Sequence, residues 1–272
     1  MPDVAATVAW LRGALALAAL CWLLPAQALG VQLEDLTWTE LRDRIAAGAT
    51  TALLPIGGTE QNGPHMTLGK HNVRVRLLAV RIAERLGNAV VAPVIAYVPE
   101  GAIEPPTQHM RYPGTLSIPV PVFEATLEAA ARSLQRHGLR DIVLLGDHGG
   151  YRASLDRVAA KLNRDWGAAA RVHALPEYYR ASQDDFAAAL AARGYAGSEI
   201  GPHAGLADTA LMLALDPSQV RSDVSAARPR GAQADGVAGD PRRASAELGR
   251  PAVEHIVDVT VAAIRSRMRA AK

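Results

Sequence analysis

From residue 33 onward, short apolar runs alternate with amphipathic stretches. "DLTWTELRDRIAAGAT" carries Thr37 with Glu40 three residues on, the reciprocal pattern of a capping box, and predicts a helix ending near Gly48. "TALLPI" then reads as a buried strand. "VRVRLLAVRIAERLG" holds apolar residues at helical spacing and stops at Gly87, and "AVVAPVIAYV" reads as a strand with Pro93 at an irregularity. The alternation repeats with a helix in "VFEATLEAAARSLQRHG", a strand in "DIVLLG", a helix in "RASLDRVAAKLNRDWG" and a strand in "ARVHAL". Further helices are expected in "SQDDFAAALAARG", in "GLADTALMLAL" and from Ala244 to Arg269. Strands separated by helices need crossover connections. The pattern therefore predicts βαβ units in an α/β fold, three-layer α/β/α with a mostly parallel central sheet. "DPSQVRSDVSAARPRGAQADGVAGDP" has no clean period and reads as an ordered long loop.

The amino terminus departs from this alternation. Arg12 precedes the apolar run "GALALAALCWLLPAQA", which closes on the small-x-small site Ala26-Gln27-Ala28. The run is shorter than the roughly 20 apolar residues that span a bilayer. Residues 1–28 are therefore expected to be a signal peptide, followed by a single domain over 29–272, exported to the periplasm or secreted. Cys21, the one cysteine of the chain, would leave with the leader. That excludes disulfides, thiolate metal sites and cysteine nucleophiles from the mature protein. The formal charge of the chain is only +2, and the leader removes one Arg and one Asp, so nothing suggests nucleic acid or a membrane surface as partner once the leader is cleaved. At 49% hydrophobic residues the chain can fill a core.

In an open parallel sheet, ligands bind beyond the carboxyl ends of the strands. "TALLPI" runs directly into Glu60, Asn62, His65 and His71, and "DIVLLG" into Asp147, His148 and the pair Gly149-Gly150. A third cluster, "GPHAGLADT", puts His203 in a glycine-bounded loop and Asp208 in the first turn of the next helix, where the helix dipole alone would favour a carboxylate. Imidazoles and carboxylates without thiolates suit a hard or borderline divalent ion, which lowers the pKa of water and polarises an amide carbonyl. No G-x-S-x-G elbow, dinucleotide fingerprint or Walker A sequence follows any predicted strand. Glu104, Gln108, His109 and Arg111, after the strand "AVVAPVIAYV", and Tyr178 and Tyr179, after "ARVHALPE", are candidates for a substrate pocket.

These segments resemble the creatininase (creatinine amidohydrolase) family. "LLPIGGTEQNGPHMTLGKHN" is similar to its P-x-G-x-x-E-Q-H-G-P-H-L-P-L-x-T-D segment, and "RYPGTLSI" to its P-G-T-L-S segment. "LLGDHGGYRASL" is similar to N-G-H-G-G-N, "HAGLADTALML" to H-A-G-E-x-E-T-S and "GVAGDPRRASAELG" to the closing G-V-x-G-x-P-x-x-A stretch. The segments keep the family's order from about residue 38 to the end. The resemblance implies an α/β/α fold, a homo-oligomer, and one or two divalent metals used to hydrolyse cyclic or linear amides.

Carried over by position, Glu60 and His148 are retained metal ligands. The family's histidine two residues after the first glutamate is Asn62, and its metal-bridging aspartate is His71. Its acidic ligand in the H-A-G segment is Asp208, and the histidine opening that segment is His203. A neutral imidazole offers one lone pair to one metal and cannot replace a bridging carboxylate. The expectation is therefore a single ion held by Glu60, His71 and His148, zinc first with iron or manganese behind it, and Asp208 as fourth ligand or partner of the bound water. His203 is the expected proton donor to the leaving nitrogen. Asn62, His65 and Asp147 are expected to hydrogen-bond substrate or the ligands, and Lys70 to reach solvent. The function expected is metal-dependent hydrolysis of a carbon–nitrogen bond in a small-molecule substrate. The alternative is a non-catalytic protein of the same fold that binds a metal or small ligand.

Overall fold

In the structure, a computed structural model, residues 30–222 and 235–270 are described. The expected leader, and residues 223–234 of the expected long loop, lie outside them. Among the described residues, four strands form one sheet in the order β2-β1-β3-β4: β1 Thr51–Ile56, β2 Ala89–Val91, β3 Asp141–Gly146 and β4 Arg171–Ala174. Every pairing is parallel, with Thr51 opposite Ala89 in β2 and opposite Asp141 in β3.

Alternate residues of each strand serve opposite faces, as strand geometry requires. Leu53, Val143 and Leu145 join one apolar cluster, whereas Ala52, Leu54, Ile142 and Leu144 join another. The first cluster packs against α2 (Lys70–Leu86), α8 (Leu206–Leu215) and α9 (Ala246–Ala270). The second packs against α1 (Trp38–Ala46), α3 (Val120–Arg136) and α4 (Arg152–Trp166). The three-layer α/β/α order follows. Shorter helices, α5 Pro176–Arg180, α6 Phe186–Ala192 and α7 Gly197–Ile200, link β4 to α8, with a π turn at Ala181–Asp185 between the first two.

The capping box of α1 forms as read from sequence, with Glu40 N–H on Thr37 and the Glu40 carboxylate on the Thr37 N–H. Two elements differ. The strand expected over "AVVAPVIAYV" ends at Val91, and one further bridge joins Ile95 to Ile56. Pro93 has no N–H to continue a ladder, so the chain leaves the sheet there. Helix α2 starts at Lys70, three residues before the apolar period begins, so Lys70 and His71 sit in its first turn. No helix among the described residues is long and apolar enough to cross a membrane.

Candidate active site

Four segments converge at the carboxyl ends of β1 and β3. After Ile56 the chain turns through Gly57 and Gly58, and Asn72 of α2 latches the turn. Its Oδ1 accepts the Gly58 N–H (2.9 Å), and its amide donates to Thr59 Oγ1 (3.1 Å). A side chain at Gly58 would not fit, because a Cβ would lie 2.5 Å from Glu100 Oε1 on a backbone of φ 153°. The Glu60 N–H then bonds Leu68 O (3.1 Å), and the Glu60 side chain ends fully buried. From β3 come Asp147 and His148, whose N–H groups both donate to the Tyr151 hydroxyl (3.1 Å each). That hydroxyl also lies 2.7 Å from Ile56 O and ties the ends of β1 and β3 together.

The irregular stretch after β2 supplies Glu100 and His109. The Glu100 N–H donates to Ser117 Oγ (3.0 Å), and a left-handed residue, Gln108 (φ 49°), precedes His109. The fourth segment brings His203, held by paired backbone bonds with Ala238.

One ligand atom from each of Glu60, Glu100, His109 and His148 lies within 4.8 Å of the others. Glu60 Oε2 is 3.2 Å from His109 Nε2 and 3.6 Å from His148 Nε2, and Glu100 Oε2 is 3.7 Å from His148 Nε2. Despite these neighbours, Glu60 Oε2 and both Glu100 oxygens are buried without a hydrogen-bond partner. Each buried polar atom left so costs on the order of 1–3 kcal/mol. A cation shared by the four side chains would satisfy all three oxygens. Two carboxylates and two imidazoles form the donor set of a borderline divalent ion, so the residues present fit a metal.

The electrostatics follow from burial. Burial, with the Glu60 charge beside it, pushes the Glu100 carboxyl up to about 9. Burial opposes the Glu60 charge too, but His71, Lys70 and His148 outweigh it and hold Glu60 well below the usual carboxylate range. Desolvation drops His148 to about 3 and His203 to about 4, and it lowers His109. His203 Nε2 lies 2.9 Å from the Gln61 backbone carbonyl oxygen and 3.0 Å from the Gln61 side-chain amide nitrogen, and Nδ1 is 3.7 Å from Glu60 Oε1.

Beside this cluster the first turns of α2 carry a second network. His71 Nδ1 faces Asp147 Oδ2 and His71 Nε2 faces Glu60 Oε1, each at 2.7 Å. Arg74, fully buried, donates from Nε to Asp147 Oδ2 (2.8 Å) and from Nη1 to Asp208 Oδ1 (2.7 Å). Lys70 Nζ donates to Asp208 Oδ2 (3.0 Å), and the Ala204 N–H reaches the same oxygen (2.9 Å). Tyr178, also buried, donates to Asp147 Oδ1 (2.7 Å).

Measured against the sequence reading, Glu60 and His148 belong to the four-residue cluster, and His203 stands next to it. His71 belongs to the second network, with both ring nitrogens engaged by carboxylates. Asp208 has its oxygens taken by Lys70, Arg74 and a backbone N–H. Lys70, expected in solvent, is 1% exposed, because the Asp208 carboxylate meets its ammonium inside the protein. Asn62 braces the loop, its amide donating to Glu60 O and Thr67 O (3.0 Å each). His65 Nε2 is 3.0 Å from Thr209 Oγ1, between the loop and α8. Asp147 anchors His71 and Arg74. The sequence reading gave Glu100 and Arg74 no role, although Glu100 ends an apolar run on the ligand-binding edge and could have been flagged there.

Two cavities reach the cluster. The larger, about 420 Å³, is lined by Gln61, Gln108, His109, Arg111, Tyr112 and His203, among others. The smaller, about 160 Å³, is bounded by Lys70, His109, His148, Tyr179, His203 and Asp208 among its lining residues. Arg111 and His109 thus line a pocket as expected of them.

A parallel α/β/α sheet with a buried carboxylate–imidazole cluster beyond its strand ends defines the class: a three-layer α/β protein with a candidate metal centre on its ligand-binding edge. The chain belongs to the creatininase family, whose model, described as creatinine amidohydrolase, matches residues 34–264. It is 31% identical over 195 residues to the creatinine amidohydrolase of Pseudomonas putida, covering 70% of this chain and 73% of that protein. With the mycofactocin precursor peptide peptidase of Mycolicibacterium smegmatis it shares 30% identity over 186 residues, 63% of this chain and 60% of the relative. The fold superposes on a creatininase structure titled as the manganese form with a TM-score of 0.71 and 28% identity, covering 88% of this chain and 98% of that one. A mutant creatininase of Zn-Zn type gives the same TM-score, identity and coverage.

Proposed function

We propose that the protein is a divalent-metal hydrolase of a carbon–nitrogen bond in a small cyclic or linear amide. One observation carries this reading: Glu60 Oε2 and both Glu100 oxygens are buried and unpartnered, in one cluster with the inward nitrogens of His109 and His148. Those four residues would hold the ion, in place of the sequence-expected set of Glu60, His71, His148 and Asp208. Zinc suits the donor set first, with manganese or iron behind it. When bound, a divalent ion supplies an electrophile for the amide carbonyl and makes water a stronger acid. The larger cavity, within the range of small-molecule sites, receives the substrate. His203 lines both cavities, and its Nδ1, 3.7 Å from Glu60 Oε1, can pass a proton to the leaving nitrogen. Gln61 holds that ring at Nε2 by its backbone carbonyl and its side-chain amide.

The relatives support the bond class: one is named an amidohydrolase and another a peptide peptidase. A neighbouring mutant creatininase is titled as a complex with creatine, which supports a small substrate. The leader-like residues 1–28 support export to the periplasm or medium, and the family resemblance supports a homo-oligomer. Large apolar side chains exposed at Tyr97, Ile103, Leu116 and Val122 are consistent with such an assembly.

The test is elemental analysis of purified protein, followed by a panel of lactams, formamides and short peptides with and without chelator. One ion per chain and chelator-sensitive release of an amine are expected. Absence of any tightly held ion would refute the reading. Metal-dependent binding of a panel member with no hydrolysis would favour the non-catalytic alternative.

A further inference from the structure

Glu60 divides its two oxygens between two different surroundings. Oε2 faces His109 and His148 and has no hydrogen-bond partner, whereas Oε1 accepts from His71 Nε2 (2.7 Å) and lies 3.8 Å from Lys70 Nζ. Lys70 Nζ in turn donates to Asp208 Oδ2 at 3.0 Å. The ammonium thus sits between two buried carboxylates, one of which also serves the proposed ion. It lines the same small cavity as His109, His148 and His203. Arg74 fixes Asp208 and Asp147 behind it.

Charge decides what this arrangement can hold. Apart from the histidines, four buried carboxylates, Glu60, Glu100, Asp147 and Asp208, face two side-chain cations, Lys70 and Arg74. One divalent ion balances those six groups, and the His71 ring, with a carboxylate oxygen 2.7 Å from each nitrogen, adds no negative charge. A second ion would leave at least two positive charges in excess in a buried site, where uncompensated charge is expensive. A second ion shared through Glu60 Oε1 and Asp208 would also have to occupy the place of the Lys70 ammonium.

We propose that Lys70 is the built-in second cation of the site: its ammonium takes the place and the charge of a second metal ion, so the protein works with one. The inference rests on the reading that Glu60, Glu100, His109 and His148 hold a divalent ion, and it adds what limits their number. The ammonium is fixed between Asp208 and Glu60, and no chelator can withdraw it.

The experiment counts ions. The full protein and its Lys70→Ala and Lys70→Met variants are saturated with Mn²⁺, desalted and analysed for manganese per chain, with circular dichroism as the check on folding. Wild type is expected to hold one ion. Lys70→Ala, which removes both charge and bulk, is expected to hold two. Lys70→Met removes the charge but fills the space, and is expected to stay at one. Lys70→Ser takes the place of the alanine variant should that misfold, since its hydroxyl still offers Asp208 a donor. Two ions in wild type, or one in a folded Lys70→Ala or Lys70→Ser protein, would overturn the inference. No ion in wild type would instead bring down the metal-site reading on which it rests.

Discussion

Arg74→Met removes the guanidinium that holds two buried aspartates together, and its cost can be worked from the structure. Arg74 is fully buried, and its two charge-assisted bonds run to Asp147 Oδ2 (2.8 Å) and Asp208 Oδ1 (2.7 Å). At about 1.5–3 kcal/mol for a hydrogen bond to a charged group, the two give about 3–6 kcal/mol. An independent estimate, the about 3–5 kcal/mol lost when one partner of a buried pair is removed, overlaps that range. The residual partners set the lower end: Asp208 keeps Lys70 and the Ala204 N–H, and Asp147 keeps His71 and Tyr178. For a domain of this size 1 kcal/mol moves the melting temperature by about 2–4 °C, so a drop of at least about 6 °C is expected. Thermal and urea unfolding should be followed on chelator-treated protein, so that bound metal does not mask the loss. Asp147→Asn in the Arg74→Met background should recover part of it, because the buried carboxylate that loses its fixed cation is then neutral. A loss below about 1 kcal/mol, or no recovery in the double variant, would refute the idea that this network is stabilised by paired charge.

Glu100→Gln should leave the metal-free protein folded and close to wild type in melting temperature, since the amide mimics the neutral acid that burial favours. Its ion affinity should fall at least about 100-fold, the upper end of what losing even an outer-sphere partner costs, as read by competition with a chromophoric chelator. Unchanged affinity would remove Glu100 from the site. Gly58→Ala places a Cβ 2.5 Å from Glu100 Oε1 and should weaken the same affinity without touching a ligand, with wild-type affinity in a folded variant counting against the geometry. Acid should destabilise the protein through His65, which is fully buried and held at about 4 by desolvation, with Lys70 adding to it. The native ring is neutral while the unfolded chain gains a proton below about 6.5, so this stability is complete above that pH and is lost as pH falls toward 4, about 3 kcal/mol in all. His65→Gln in the metal-free protein should flatten that part of the stability–pH curve; a curve identical to wild type would exclude His65 as its source.

How much of this was legible in the sequence depends on where each residue takes its environment from. The strands "TALLPI" and "DIVLLG" are apolar on both faces and run the full length read for them, because both faces of β1 and β3 are covered by helices. Glu60 and His148 follow those strands at short distance, so topology alone places them on the ligand-binding edge. Glu100 and His109 also follow an expected strand, "AVVAPVIAYV", but topology alone does not bring them beside Glu60. They arrive on an irregular segment whose path is set by contacts such as the Glu100 N–H on Ser117 and the left-handed turn at Gln108. Lys70 and Arg74 were hidden for a different reason. In "VRVRLLAVRIAERLG" Arg74 falls among the polar positions of an amphipathic helix, and Lys70, ahead of that run, reads as a solvent-reaching residue; only Asp147 and Asp208, 73 and 134 residues distant from Arg74, turn that side into an interior surface.

The same network bears on what happens when the ion is absent. A site that balanced its carboxylates with metals alone would be left with bare buried charges by a chelator, and the protein would lose much of its stability with the metal. Here Asp208 retains Lys70 and Arg74, Asp147 retains Arg74 and His71, and Glu60 retains His71 through Oε1. Glu100 has no such partner, and it answers by holding its proton, with its carboxyl pushed up to about 9. Each carboxylate thus has its own means of surviving without the ion, three by fixed cations or imidazole and one by neutralisation. The side chains at positions 70, 71 and 74 therefore act together. They keep the strand ends, the loop through Glu60 and the H-A-G segment in register whether or not metal is bound, so that loading the ion completes a site already built.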